Sequence, residues 1–181
     1  MDRTTYDRFE EIPPLTPWGN YTVDVIWPML ESTLAELGGQ NGLDLDPDFQ
    51  RGHVWTEAQQ VAFVEFSLRG GRSGQDILFN QPHFSAGGRK GQPVQIVDGK
   101  QRLEAVRRFL RSEIPAFGTL HRDYRDGLTL TGPKFRFTVN NLPTRAAVLR
   151  WYLELNAGGT PHPDTEIVRV RALLAAEEGR R

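Results

Sequence analysis

The stretch Val94-Gln-Ile-Val-Asp-Gly-Lys-Gln-Arg-Leu-Glu-Ala-Val-Arg-Arg-Phe-Leu110 leaves the chain little conformational freedom. Val94 to Val97 read as a short buried strand, and Asp98-Gly99 turns it directly into a helix. Gly99 supplies the backbone freedom that such a sharp turn needs. Leu103, Val106, Phe109 and Leu110 then recur at offsets of three and four, which gives the helix one apolar face. Asp98, Lys100, Gln101 and Arg102 are thereby gathered where the strand ends and the helix begins. A helix N-terminus presents unpaired N–H groups and positive potential, so it suits an anion or a phosphate. Lys100 and Arg102 add charge to it. The same residues also make an ordinary solvated corner, and the local pattern leaves both readings open.

With 181 residues the chain suits one domain, expected here over 21–181 with C-terminal helices and preceded by an arm over 1–20. Its hydrophobic content of 38% and charged content of 25% belong to a globular protein. No apolar run approaches the length of a membrane span, so a membrane partner is not expected. The first residues lack the apolar core of a signal peptide, and a cytoplasmic location is the expectation. Cysteine is absent, which excludes disulfides, thiolate catalysis and cysteine-based zinc sites. His53, His83, His121 and His162 are scattered, with no paired metal-ligand spacing. The formal net charge is −1, so any contact with nucleic acid has to come from a local patch.

Around the central motif the pattern is α+β: several short strands and about five helices. The arm is rich in proline and charge. Tyr21 to Val25 suggest a strand, and Trp27, Leu30, Leu34 and Leu37 a helix that stops at Gly38-Gly39. Leu43 and Leu45 alternate as a strand does, and Pro47 ends it. Phe49 and Trp55 are apolar anchors in an otherwise polar segment, which gives Gln50 and Arg51 fixed positions. Arg51 suits bidentate phosphate or carboxylate binding; pairing with Asp46 or Asp48 is the alternative. Thr56-Glu-Ala-Gln59 is a capping box opening a helix with Val61, Val64 and Leu68 inward and Phe63 and Phe66 broadening the stripe. Ile77 to Phe79 is a strand. Gly87-Gly-Arg-Lys-Gly91 lies in a long basic loop that lacks the order of a phosphate-binding P-loop. Phe135, Phe137 and Val139 alternate with Arg136 and Thr138 as in a half-buried strand. Pro143-Thr144 starts a helix with Val148, Trp151, Tyr152 and Leu155 inward. Asn156-Ala-Gly-Gly159 ends it, and a last helix carries Ile167, Val170 and Leu174.

Three separated segments now stand in fixed order: Pro47-Asp-Phe-Gln-Arg-Gly-His-Val-Trp55, Val97-Asp-Gly-Lys-Gln-Arg-Leu103 and Leu155-Asn-Ala-Gly-Gly-Thr-Pro-His-Pro-Asp-Thr-Glu166. Together they resemble the bacterial and phage family represented by the N-terminal domain of the GmrSD type IV restriction enzyme. Its motifs are QR-x-x-x-W, DGQQR and N-x-G-G-T-P-L-S…E, and the match covers roughly residues 20 to 175. The resemblance implies a ParB/sulfiredoxin-like fold, a small mixed sheet with flanking helices, in the cytoplasm of a bacterial or phage-infected cell. It also implies a nucleotide-handling site. The phosphate-holding corner of such proteins falls on Asp98, Gly99, Lys100, Gln101 and Arg102; Gln50 and Arg51 fall on the first motif, Asn156 and Glu166 on the third. The chain departs from the pattern at Lys100, where the family has Gln, and at His162-Pro163, where it has Leu-Ser. No second nuclease domain is expected.

Phosphoryl transfer needs charge stabilisation and alignment more than covalent chemistry. Arg51, Lys100 and Arg102 are candidates to hold phosphate, with Gln50, Gly99 and Asn156 lining the nucleotide. Asp98 is the candidate ligand for Mg²⁺ or proton acceptor. Gln101 or Gln50 is the candidate to orient the attacking oxygen. The expected function is therefore nucleotide-dependent phosphoryl transfer with a nucleoside triphosphate, ATP first, and Mg²⁺. Hydrolysis and kinase transfer to a hydroxyl, one on a modified DNA base included, both stay open. The alternative is a non-catalytic DNA-binding or sensing module of a restriction or defence system. It would use Arg107, Arg108 and Arg111, Arg69 and Arg72, and Arg89-Lys90. A structural or partner-binding protein with a relic site is a third reading.

Overall fold

Side chains alternate along a strand, so a sheet of apolar strands has to be covered on both faces. The computed structural model shows how this chain does so. It describes residues 5–8, 12, 19, 21–50, 52, 54–82, 84, 92–157 and 164–179. The elements, in order, are β1 Tyr21–Ile26, α1 Leu30–Gly38, β2 Leu43–Asp44, α2 Glu57–Leu68, β3 Asp76–Asn80, β4 Val94–Asp98, α3 Lys100–Leu110, β5 Lys134–Asn140, α4 Arg145–Ala157 and α5 Asp164–Glu178. The protein is α+β, with one mixed five-stranded sheet of order β1-β5-β3-β4-β2 and flanking helices. β1 with β5 and β3 with β4 are antiparallel; β3 with β5 and β2 with β4 are parallel.

The alternation sorts the interior into two cores. Ile77, Phe79, Val94, Ile96, Phe135, Phe137 and Val139 face α1, α2 and α3, where they meet Leu30, Leu34, Val64, Leu103, Val106 and Phe109. Leu78 and Val97 point the other way, onto Val148, Leu149, Trp151 and Tyr152 of α4 and Val170 of α5. Each such side chain contributes roughly 1.5–3 kcal/mol when fully buried. Phe49 belongs to the second core and Trp55 packs on the first, so the two anchors pin their segment across the end of the sheet.

Several expectations change in detail. β2 is two residues long, and Leu45 lies beyond it. Phe66 is 45% exposed and turns outward; Gln60 and Ser67 take the buried positions. The ring lies over Gly71, where a Cβ would sit 2.4 Å from it, so the α2 face is narrower than the run of phenylalanines suggests. β5 is not half-buried towards its end, because Thr138 and Asn140 are buried as well. It lies inside the sheet, between β1 and β3. The capping box at Thr56 forms as expected, with both reciprocal bonds to Gln59. Thr144 caps α4 by accepting from the Ala147 amide at 3.2 Å. Most of the arm, Arg51, His53, Gly87–Gly91 and His162-Pro163 lie outside the described residues.

Candidate functional site

The central motif folds as its sequence implies. β4 ends at Asp98, Gly99 has φ 95° and α3 begins at Lys100. Glycine is required at 99 twice over. Its φ is costly for any other residue, and a Cβ there would lie 2.5 Å from Ile77 Cδ1 and 3.2 Å from Ile77 Cα. The β3–β4 register shifts between Leu78 and Phe79: Leu78 faces Asp98 and Phe79 faces Ile96, which leaves Val97 as the extra residue of a bulge. Bulges re-aim the side chains that follow them. Here the residue that follows is Asp98. The Gln50 side chain seats on the same irregularity, its Nε2 donating to the Val97 carbonyl at 2.6 Å.

These elements frame a cleft of about 100 Å³. Asp98, Gly99, Lys100, Gln101 and Arg102 form its floor, Gln50 and Trp55 one wall, and Tyr152 and Asn156 of α4 the other. The structure thus brings together every sequence-derived site residue that it describes. Arg51 lies outside the described residues.

The polar side chains of the cleft also have protein partners. Arg102 donates to Asp98 Oδ2 at 2.6 Å, at i, i+4 spacing, so acid and base hold each other. The Asp98 side chain remains 46% exposed and the Arg102 side chain 20%. The Lys100 ammonium pairs with Asp46, so the residue lines the cleft while its charge is already balanced. Gln101 is 8% exposed and its amide is spent on the facing segment. Oε1 accepts from the amides of Val54 and Trp55, both at 3.1 Å, and Nε2 donates to the Gly52 carbonyl at 3.2 Å. Gln101 therefore positions the facing segment while it lines the cleft. Lys100, the neighbouring residue, turns to Asp46 and takes no part in these bonds. Asn156 donates to the Tyr152 carbonyl at 2.7 Å while lining the cleft.

Four contributors were not singled out from the sequence. Tyr152 lines the cleft, and its hydroxyl donates to the buried Glu166 at 2.5 Å, so the third motif ties α5 to the cleft wall. Arg169 donates to the carbonyls of Asp48, Phe49 and Gln50 and fixes that segment from α5. Gly74, at φ 79°, lets its loop approach the Arg102 stem, where a Cβ would be 3.1 Å from Arg102 Cδ. Val97 supplies the bulge. In the sequence Tyr152 stood out only as an apolar helix position and Val97 only as the end of a buried strand; the roles of all four depend on contacts between remote segments.

Arg107 and Arg108 of α3 and Arg111 at its C-cap are not a free basic stripe. Arg107 pairs with Glu31 and Glu104, Arg108 with Glu57 and Glu113, and Arg111 with Glu31, Glu104 and Glu113. Three guanidiniums thus meet four carboxylates. The hydrogen bond from Arg107 holds the Glu31 carboxyl below the usual carboxylate range, and that bond raises Arg107 in turn. The Asp24 carboxyl is lowered by its hydrogen bond from Lys134. Among the described residues no group of three or more His, Cys, Asp or Glu side chains is arranged to hold a metal, and no helix is long and apolar enough to cross a membrane. No family model matches the chain, nor does any curated protein or solved structure at significant similarity.

Proposed function

We propose that the chain is a nucleotide-dependent phosphoryl-transfer enzyme of the ParB/sulfiredoxin-like kind, using a nucleoside triphosphate, ATP first, with Mg²⁺. The Asp98–Arg102 pair at the first turn of α3 carries this reading. A helix N-terminus offers amides to phosphate oxygens. A guanidinium binds those oxygens in a bidentate fashion. A half-exposed carboxylate beside them is a site for a divalent ion. One carboxylate fits Mg²⁺, which keeps several waters and draws other ligands from phosphate. When bound, the ion would neutralise charge on the phosphates. Arg102 would turn from Asp98 to the phosphate, and Asp98 would then hold Mg²⁺. Gln101 keeps the Gly52–Trp55 wall in place, and Asn156 faces the ligand from α4. The acceptor is water or a hydroxyl, one on a modified DNA base included.

The test is a γ-labelled phosphate assay with several nucleotides and Mg²⁺, with and without DNA carrying normal or hydroxymethylated bases. Label appears in free phosphate or in the acceptor, and Asp98→Ala loses it. Full activity in Asp98→Ala overturns the proposal.

A second reading, a DNA-binding module, draws on a different surface. A groove of about 480 Å³ beyond α2 is lined by Arg72, Lys134 and Arg136 among others. Lys134 and Arg136 both reach Asp24, at 2.5 and 3.4 Å, which reduces the charge on offer. The balanced α3 face adds nothing to it. DNA retention at low salt that falls steeply with ionic strength would favour this reading.

A further inference from the structure

Beside the cleft lies a larger cavity of about 460 Å³, and Lys100 lines both. We propose that this cavity takes the base of the nucleotide whose phosphates occupy the cleft. The inference rests on the phosphoryl-transfer reading and says where the rest of its ligand lies.

Size is the first argument. Pockets that enclose a drug-sized ligand measure about 300–1,000 Å³. The cleft, at about 100 Å³, is below that range; the cavity is within it. Geometry is the second. Lys100 is the first residue of α3, and Leu103 and Glu104 of the cavity lie three and four positions further along. That is one helical turn, a rise of about 5 Å. The two openings therefore meet at Lys100, and a ligand anchored by phosphate at the helix start reaches the cavity past the Lys100–Asp46 pair.

Chemistry is the third argument. Leu103 is buried at the floor and Leu45 is half-buried in the wall, and most of the lining surface is apolar. Around it stand Asp46, Lys100, Glu104 and Arg108, two acids and two bases. A charge-balanced rim gives no advantage to another anion. It suits a flat uncharged ring with a polar edge: carboxylates accept from ring or exocyclic N–H groups, and cations donate to ring nitrogens or carbonyl oxygens. The Lys100–Asp46 pair joins a residue of the cleft to one of the cavity, so its two ends register the two parts of one ligand.

The test compares equilibrium binding of ATP and of inorganic tripolyphosphate, each with Mg²⁺, to the full chain and to Leu45→Trp. The larger ring fills the cavity and leaves the cleft untouched. In the parent protein ATP should bind tighter than tripolyphosphate by about ten-fold or more. Leu45→Trp should bring ATP down to the tripolyphosphate level and leave tripolyphosphate unchanged. Should Leu45→Trp not fold, methyl NMR of the parent protein decides: Leu45 and Leu103 resonances shift with ATP and not with tripolyphosphate. Equal binding of the two ligands, or an ATP affinity and leucine methyls indifferent to the base, overturns the inference alone. Binding of neither ligand overturns the phosphoryl-transfer reading with it.

Discussion

Replacing Gln101 by Leu removes three hydrogen bonds between α3 and the Gly52–Trp55 segment while keeping most of the buried volume. A typical bond of this kind contributes about 0.5–1.5 kcal/mol net. Val54 is exposed, so its amide regains water when the partner is lost. The Gly52 carbonyl does so too, since Gly52 is exposed. The loss is therefore expected in the lower half of the summed range, about 2–3 kcal/mol. For a chain of this size that lowers Tm by roughly 4–12 °C. Urea and thermal unfolding measure it directly. Gln101→Glu keeps the acceptor for Val54 and Trp55 but sets a carboxylate oxygen against the Gly52 carbonyl, and should fall between parent and Leu variant. A side chain needed only to orient an attacking oxygen would behave differently, losing turnover at unchanged stability. Stability of both variants within about 0.5 kcal/mol of the parent, the scatter expected for surface substitutions, would refute the positioning role.

Gly99→Ala should cost about 1–2 kcal/mol for its left-handed backbone and about 1–3 kcal/mol more for the collision with Ile77. Gly42, at φ 84° with nothing within 4 Å, is the control: its Ala variant should show only the first part in chemical denaturation. The Glu31 carboxyl lies below its ordinary value of 4.5 in the folded chain. Its contribution is present above that value and is lost as pH falls through the lowered one. Glu31→Gln should therefore cost under about 1 kcal/mol at neutral pH, since the side chain is half exposed, and should flatten the acid limb of the stability–pH curve.

The strand–Gly–helix corner was legible because each of its parts is local. Gly99 marks the turn, the apolar offsets from Leu103 to Phe109 mark the helix, and the capping box at Thr56 is a four-residue pattern. Phe49 and Trp55 could be recognised as anchors since large apolar side chains in a polar segment have to be buried somewhere. What those anchors hold was not legible. Lys100 finds Asp46, Gln101 finds Gly52 to Trp55, and Arg169 finds Asp48 to Gln50, all across segments remote in sequence, and no local periodicity encodes such pairs. The phenylalanines of α2 misled for a related reason. Phe63 packs on Trp55 and Phe135, but Phe66 is one position off the inward face and settles over Gly71. The Asp98–Arg102 pair lies between these cases. Its i, i+4 spacing was visible, yet both residues were assigned to a ligand and not to each other.

The mutual hold of Asp98 and Arg102 gives the account its most direct test: triphosphate binding by the parent protein, Asp98→Asn and Arg102→Gln, each with and without Mg²⁺. Arg102→Gln should weaken binding in both conditions. Asp98→Asn should abolish the gain from Mg²⁺ and, by releasing Arg102, tighten binding when no metal is present. Metal-free binding weakened by Asp98→Asn, or a Mg²⁺ dependence that survives it, would contradict the claim that these two residues exchange each other for a metal–phosphate ligand.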